Sequence, residues 1–108
     1  MRRGDIVTVS SQGDYGKPRP AVIIQSDALH EADSVLVALF TSAVTDAPRY
    51  RLTVTPSLSN GLRSVSQVMV DKVLATPRAK CGAVIGGLSP QEMLALNSML
   101  LVMMGLAD

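Results

Sequence analysis

Histidine and cysteine are nearly absent from this sequence, which contains one of each, His30 and Cys81, in 108 residues. A lone cysteine cannot form an internal disulfide, and this pair is too small for a zinc site built from these residue types. The acidic residues are also scattered, so they do not predict the carboxylate cluster of a two-metal nuclease. We therefore expect no metal, no cofactor and a reducing, cytoplasmic location.

Aromatic residues and net charge are also low. The chain has no tryptophan, its only aromatic residues are Tyr15, Phe40 and Tyr50, and its formal net charge is +1. An extended surface for base stacking and a strongly basic coat are both excluded by this composition. Any contact with nucleic acid must therefore be local.

Long hydrophobic runs are missing too. The apolar stretch 93–106 is interrupted by Asn97 and Ser98 and is shorter than the roughly 20 residues of a membrane span. Asp5, Thr8 and Ser10 interrupt the apolar residues that follow Arg2 and Arg3, so the N-terminus does not have the pattern of a signal peptide. We expect a soluble protein with one domain, residues 1–108, and no membrane segment.

Short β-prone runs separated by turn residues fill most of the chain. They predict strands at 5–10, 21–24, 34–40, 50–55, 64–73 and near 83–85, and a short helix within 27–33. Ser89 as N-cap, Pro90 at the first helical position and Glu92 form a capping box and predict a helix to about Leu106. The predicted fold is mainly β with a C-terminal α-helix, in a small, strongly bent antiparallel barrel.

The predicted C-terminal helix has apolar residues on more than one face. Leu96 and Leu100 share one stripe, while Leu94, Leu101 and Met104 lie beyond it. A helix that covers only its own sheet keeps a polar face. This pattern favours a symmetric homodimer, although a small core filled by Leu and Met is the alternative.

The most informative stretch is KPRPAVIIQSD, residues 17–27. Pro18 and Pro20 each fix φ and restrict the residue before them, so Arg19 is expected to be extended and partly preorganised. Ala21 to Ile24 has the pattern of a strand buried on both faces. A cation with a fixed backbone position is therefore predicted at the start of a buried strand.

Motifs in this order resemble the MazF/PemK family of toxin endoribonucleases. They are RGDIV at 3–7, GKPRPAVIIQSD at 16–27, Phe40-Thr41-Ser42, Gly61-Leu62, Val70-Asp71-Lys72-Val73 and Ile85-Gly86-Gly87-Leu88-Ser89. The resemblance implies an SH3-like barrel of the CcdB/PemK toxin type, a homodimer, and the toxin of a type II toxin–antitoxin system. It also implies cleavage of single-stranded RNA, with mRNA as the expected target.

The resemblance implies catalytic roles for Arg19 and Thr41. We expect Lys17, Ser42, Ser64 and Ser66 to bind RNA, and Asp14 and Asp71 are candidates for the base or another acidic group of the site. Family members that use an acidic residue at the position of Asp71 carry an arginine two residues earlier, where this chain has Met69. His30 is expected to be a solvated surface residue.

With no metal site predicted, RNA cleavage would use the attack of the 2′-OH on the neighbouring phosphate. Arg19 would bind the phosphate bidentately and stabilise its additional negative charge. The implied partner is a MazE-like antitoxin whose flexible, acidic tail covers the active-site groove.

Two other functions remain open from the sequence. One is a non-enzymatic, CcdB-like inhibitor of DNA gyrase, but that branch ends in Trp-Gly-Ile whereas this chain ends in Gly105-Leu106-Ala107-Asp108. The other is a barrel that binds a peptide without chemistry, with Arg19 in a structural role.

Overall fold

The computed structural model describes residues 1–10 and 17–108, in which six strands form one antiparallel sheet. The strands are β1 (Asp5–Val9), β2 (Arg19–Ile23), β3 (Ser34–Thr41), β4 (Arg51–Val54), β5 (Ser66–Pro77) and β6 (Cys81–Gly87). Their spatial order is β4-β5-β3-β2-β1-β6, and α1 (Pro90–Met103) follows the last strand in the chain. The prediction of a mainly β fold with a C-terminal helix is confirmed.

The central strands are buried on both faces. Successive side chains of a strand point to opposite faces, so Ile6 and Val22 pack in a core that includes Leu96 of α1. Their neighbours Val7 and Ala21, both fully buried, belong to a second core on the other face. This confirms the doubly buried strand predicted after Pro20.

The loop between β4 and β5 approaches β6 at the opposite edge of the sheet. The carbonyl of Ser59 accepts a hydrogen bond from the N–H of Gly87 at 3.0 Å. A Cβ on Gly86 would lie 2.4 Å from the carbonyl carbon of Asn60, so only glycine permits this approach. Within residues 1–10 and 17–108, β4 and β6 share no strand ladder, and this loop brings the two edges together in a barrel-like arrangement.

The later strands are longer than the sequence indicates. β5 continues to Pro77 because it pairs along β3 as far as Ser34, and a register shift between Ala38 and Phe40 accommodates the bend. β6 extends over seven residues because β1 pairs with it from Asp5 to Val9. The short helix predicted within 27–33 is one 3-10 turn, Asp27–Leu29.

Both ends of α1 have clear local causes. The N–H of Glu92 donates to Ser89 Oγ at 3.1 Å, and the N–H of Ser89 donates to Glu92 Oε1 at 2.8 Å, which confirms the predicted capping box. The helix ends before Leu106 because Gly105 adopts a φ of 74°, the left-handed conformation that stops many helices. No helix among the described residues has the length and apolar character needed to cross a membrane.

Candidate active site

An open cleft of about 730 Å³ lies between the start of β2, the end of β3 and the loop that joins β4 to β5. Five residues predicted from the sequence lie together in its lining: Arg19, Thr41, Ser42, Ser64 and Ser66. The other described residues of the lining are Thr8, Pro18, Pro20, Phe40, Ala43, Gly61, Leu62, Arg63 and Ile85. The structure therefore brings residues from distant parts of the chain into one site.

Arg19 is exposed in this cleft at the first position of β2, paired with Val9 of β1. Pro20, the next residue, pairs with Thr8 and fixes its own φ while restricting the backbone of Arg19. The buried residues that follow anchor this end of the strand. The long guanidinium side chain thus extends from a backbone position that is fixed by both local and tertiary structure.

The hydroxyl of Thr41 is oriented by the backbone that follows it. Thr41 ends β3, and its Oγ1 accepts a hydrogen bond from the N–H of Ala43 at 3.1 Å. In this local turn the hydroxyl oxygen acts as an acceptor, so the hydroxyl proton remains available to donate to a ligand. Thr41 can therefore donate a hydrogen bond into the cleft.

Gln67 fixes the chain segment that follows Thr41. Only 3% of Gln67 is exposed, and its side chain bonds both backbone groups of Thr45, with Oε1 accepting at 3.1 Å and Nε2 donating at 2.8 Å. Nε2 also donates to Thr53 Oγ1 at 3.1 Å. This amide links β5, β4 and the segment after Thr41, because Gln67 pairs with both Thr41 and Thr53 across the sheet.

Asn60 plays a similar structural part on the facing wall. Its Oδ1 accepts the N–H groups of Ser57 and Leu62, both at 3.0 Å, and its Nδ2 donates to the carbonyl of Thr55 at 2.9 Å. Gly61 has a φ of 69°, and a Cβ there would lie 2.2 Å from the carbonyl oxygen of Ile85. The loop before Arg63 is therefore fixed by a buried amide and by close contact with β6.

The charge of the described lining has one sign. Arg19 and Arg63 contribute guanidinium groups, and none of the described lining residues is a carboxylate. Serine and threonine hydroxyls complete the polar part of the wall. Cations beside hydroxyl donors suit a phosphate group, since both can donate hydrogen bonds to its oxygens.

Asp71 lies elsewhere, on β5, and forms a bidentate ion pair with Arg51. Arg51 Nε donates to Oδ1 at 2.9 Å and its second guanidinium nitrogen donates to Oδ2 at 3.2 Å. The hydrogen bond from Arg51 is the main reason that the pKa of Asp71 lies below its ordinary value. The carboxylate is thus bonded to β4 and is not part of the described lining.

The remaining predicted residues have other positions. Lys17 is exposed next to Pro18 but does not line the cleft, and Asp14 lies outside the described residues. His30 is on the surface, as predicted, with 83% of its side chain exposed. Across residues 1–10 and 17–108, no three His, Cys, Asp or Glu side chains come together as a metal-ligand group.

Arg63 is the main cleft residue that the sequence analysis missed. It lies between the Gly61-Leu62 motif and Ser64, a residue predicted to bind RNA. A cation next to a predicted phosphate-binding serine was the available signal. Its position in the same cleft as Arg19 could not be predicted because it depends on the contact between the β4–β5 loop and β6.

Solved structures with the same architecture define the class of this fold. The Mycobacterium tuberculosis toxin MazF-mt6 superposes with a TM-score of 0.81 at 23% identity, covering 96% of this chain and 99% of that one. A MazE–MazF structure from Deinococcus radiodurans gives a TM-score of 0.78 at 16% identity, covering 99% and 98%. The fold is therefore that of the MazF toxins, as the sequence motifs predicted.

Sequence comparison defines the family more closely. Residues 2–104 match the model of the PemK-like, MazF-like toxins of type II toxin–antitoxin systems. A protein named probable endoribonuclease MazF from Mycolicibacterium smegmatis is 44% identical over 108 residues, which cover 99% of each chain. This chain belongs to the PemK-like, MazF-like toxin family.

Proposed function

We propose that this chain is the toxin of a type II toxin–antitoxin system and cleaves single-stranded RNA at specific sequences without a metal ion. The observation that carries the proposal is the shared cleft of Arg19, Thr41 and Ser42, with Ser64 and Ser66 close by. The relative that is 44% identical bears the name of a probable endoribonuclease, which supports the same activity here. mRNA is the proposed cellular substrate, and inhibited translation and growth are the expected result.

In the proposed reaction the 2′-oxygen of one ribose attacks the adjacent phosphorus. The bond to the 5′-oxygen of the next nucleotide breaks, so the products carry a 2′,3′-cyclic phosphate and a 5′-OH. Arg19 binds the phosphate oxygens and stabilises the charge that accumulates in the transition state, while Thr41 donates a hydrogen bond. Asp14 is our candidate for the base that removes the 2′-OH proton, and the 5′-oxygen takes up a proton as it leaves.

Purified protein and a long single-stranded RNA in EDTA test this function. We expect discrete cuts with 2′,3′-cyclic phosphate and 5′-OH ends. Arg19→Ala should abolish the cuts, and Thr41→Val should slow them about 100-fold or more, as expected for loss of one transition-state donor. Arg49→Ala is the matched control, because Arg49 is exposed and does not line the cleft.

Folded Arg19→Ala protein that still cuts RNA would contradict the role of Arg19. Absence of cuts by a folded wild-type protein would contradict the ribonuclease proposal itself. Accumulation of cleaved DNA in a gyrase assay would then favour the CcdB-like alternative.

We further propose that two copies pair through α1. Leu94 is 68% exposed, Met104 67% and Leu106 74%, and an adjoining groove contains Asn97 and Leu101. Asn97 Oδ1 is buried but has no hydrogen-bond partner among the described residues. A second copy would cover this apolar surface and could supply a donor to that oxygen.

Analytical ultracentrifugation of Leu101→Glu tests the homodimer. We expect the wild type to sediment as a dimer and Leu101→Glu to shift to the monomer, since the new carboxylate would have to be buried. Leu58→Glu is the control, because Leu58 is fully exposed in the β4–β5 loop. A monomeric wild type would contradict the proposed dimer.

The proposed antitoxin is a MazE-like protein whose acidic tail occupies the cationic cleft and excludes RNA. A related solved structure is described as an endoribonuclease in complex with its cognate antitoxin. The proposed setting is the cytoplasm, with residues 1–108 acting as one toxin domain. Addition of the antitoxin should stop RNA cleavage, and loss of its acidic tail should restore it.

A further inference from the structure

Arg63 is fixed at its backbone but not at its side chain. Asn60 and Gly61 define the preceding loop, and Leu62 packs against the buried core. The Arg63 side chain itself is exposed and has no hydrogen bond or ion pair with the described residues. A permanent charge thus stands at a defined place in the cleft with rotational freedom.

This cation faces the same cleft as Arg19 from a different wall. Arg19 begins β2, whereas Arg63 lies in the β4–β5 loop, and both contribute to the lining. Both guanidinium groups lie along the same cleft, and each attracts negative charge. A ligand with more than one negative charge can therefore contact both groups along the cleft.

We propose that Arg63 binds an RNA phosphate next to the one that is cleaved. This inference rests on the proposed ribonuclease function and adds a binding residue to it. A phosphate contact fits better than recognition of a base, because reading a base edge needs a guanidinium held in a defined plane by other groups. Arg63 has no such support from the described residues, and a charge contact does not require it.

The contact makes two measurable differences. Binding of single-stranded nucleic acid releases counterions, so each neutralised phosphate contributes about 0.7 to the slope of log K against log salt concentration. Arg63→Gln should lower that slope by about this amount. For cleavage it should raise KM with a much smaller change in kcat, since the contact is made in both the ground and the transition state.

The binding experiment uses a fluorescent 2′-O-methyl RNA oligonucleotide, which lacks the attacking hydroxyl and stays intact. Fluorescence anisotropy at several salt concentrations gives the slope for the wild type, Arg63→Gln, Arg63→Lys and Arg49→Gln. Arg63→Lys should retain most of the slope because it keeps the charge, whereas Arg49→Gln should match the wild type. The same four proteins are then compared in cleavage of a single-stranded RNA that the wild type cuts.

An Arg63→Gln protein that binds and cleaves like Arg49→Gln would overturn the proposal. A changed cleavage sequence in Arg63→Gln would also overturn it, because that result indicates base recognition. If the wild type binds the oligonucleotide but cuts no RNA, the ribonuclease function fails while the slopes still decide whether Arg63 contacts a phosphate. If the wild type neither binds the oligonucleotide nor cuts RNA, both proposals are wrong.

Discussion

Replacing Asn60 with alanine should remove the support of one cleft wall. The side chain is only 2% exposed and forms hydrogen bonds to the backbones of Ser57, Leu62 and Thr55. Each lost bond costs about 1 kcal/mol, and more where the backbone group left behind stays dry. We therefore expect the free energy of unfolding to fall by about 3 kcal/mol, which is large for a small domain.

Urea unfolding followed by circular dichroism measures this loss. Protein concentration must be equal for all variants, because pairing of two copies would make stability depend on it. Ser59→Ala is the control in the same loop, since it removes only a 3.4 Å contact to Ser57 Oγ and should change stability by less than about 0.5 kcal/mol. A loss of 1 kcal/mol or less in Asn60→Ala would refute the view that this amide organises the loop.

The cleft should respond as well. Because Arg63 lies in the loop that Asn60 fixes, the Asn60→Ala variant should bind single-stranded RNA more weakly even where it is fully folded. Measurements at low temperature, well below the unfolding transition, separate this effect from partial unfolding. Unchanged RNA binding together with the expected loss of stability would show that the loop is structural without orienting the cation.

Other substitutions test separate contacts. Gln67→Met keeps the volume of the side chain but loses two hydrogen bonds to Thr45 and one to Thr53, so unfolding studies should show a loss of about 3 kcal/mol and cleavage assays a lower kcat. Asp71→Asn should cost about 1 kcal/mol at neutral pH because it breaks the pair with Arg51. The folded-state pKa of Asp71 is lowered, so its contribution is present above the ordinary aspartate value of about 3.9 and is lost as the pH falls through the folded value. The wild type and Asp71→Asn should therefore converge in acid unfolding experiments, and a constant difference down to the lowest pH would contradict this assignment. Ser89→Ala should lower stability by about 1 kcal/mol in thermal unfolding through loss of the helix cap, and an unchanged transition would show that the cap is dispensable.

Signals within a few residues of each other predicted the structure well. The capping box depends on Ser89 and Glu92 alone, and the buried strand after Pro20 on four successive apolar residues. Both are local properties, so the sequence is sufficient to identify them. Arg19 lies at the start of a strand, as predicted, and Thr41 ends the strand that was predicted at 34–40.

Features that depend on contacts between distant residues were not predicted, or were predicted over too few residues. The second half of β5 has a mixed pattern and forms a strand because β3 lies beside it. Glutamine and asparagine are usually surface or turn residues, so the sequence does not indicate that Gln67 and Asn60 are buried. Their amides can be buried because the fold places backbone groups where they form hydrogen bonds. Arg63 is exposed like most arginines, so only its neighbours across the cleft distinguish it.

The two buried amides also separate the shape of the cleft from its attraction for a ligand. Neither Asn60 nor Gln67 carries a charge or a proton that titrates in the cellular pH range, so changes in acidity or salt leave the hydrogen bonds of both walls intact. Arg19 and Arg63 attract a ligand through electrostatic interactions, which dissolved salt screens. Ionic conditions in the cell would therefore control how often the cleft is occupied, while the geometry that an occupant meets stays constant.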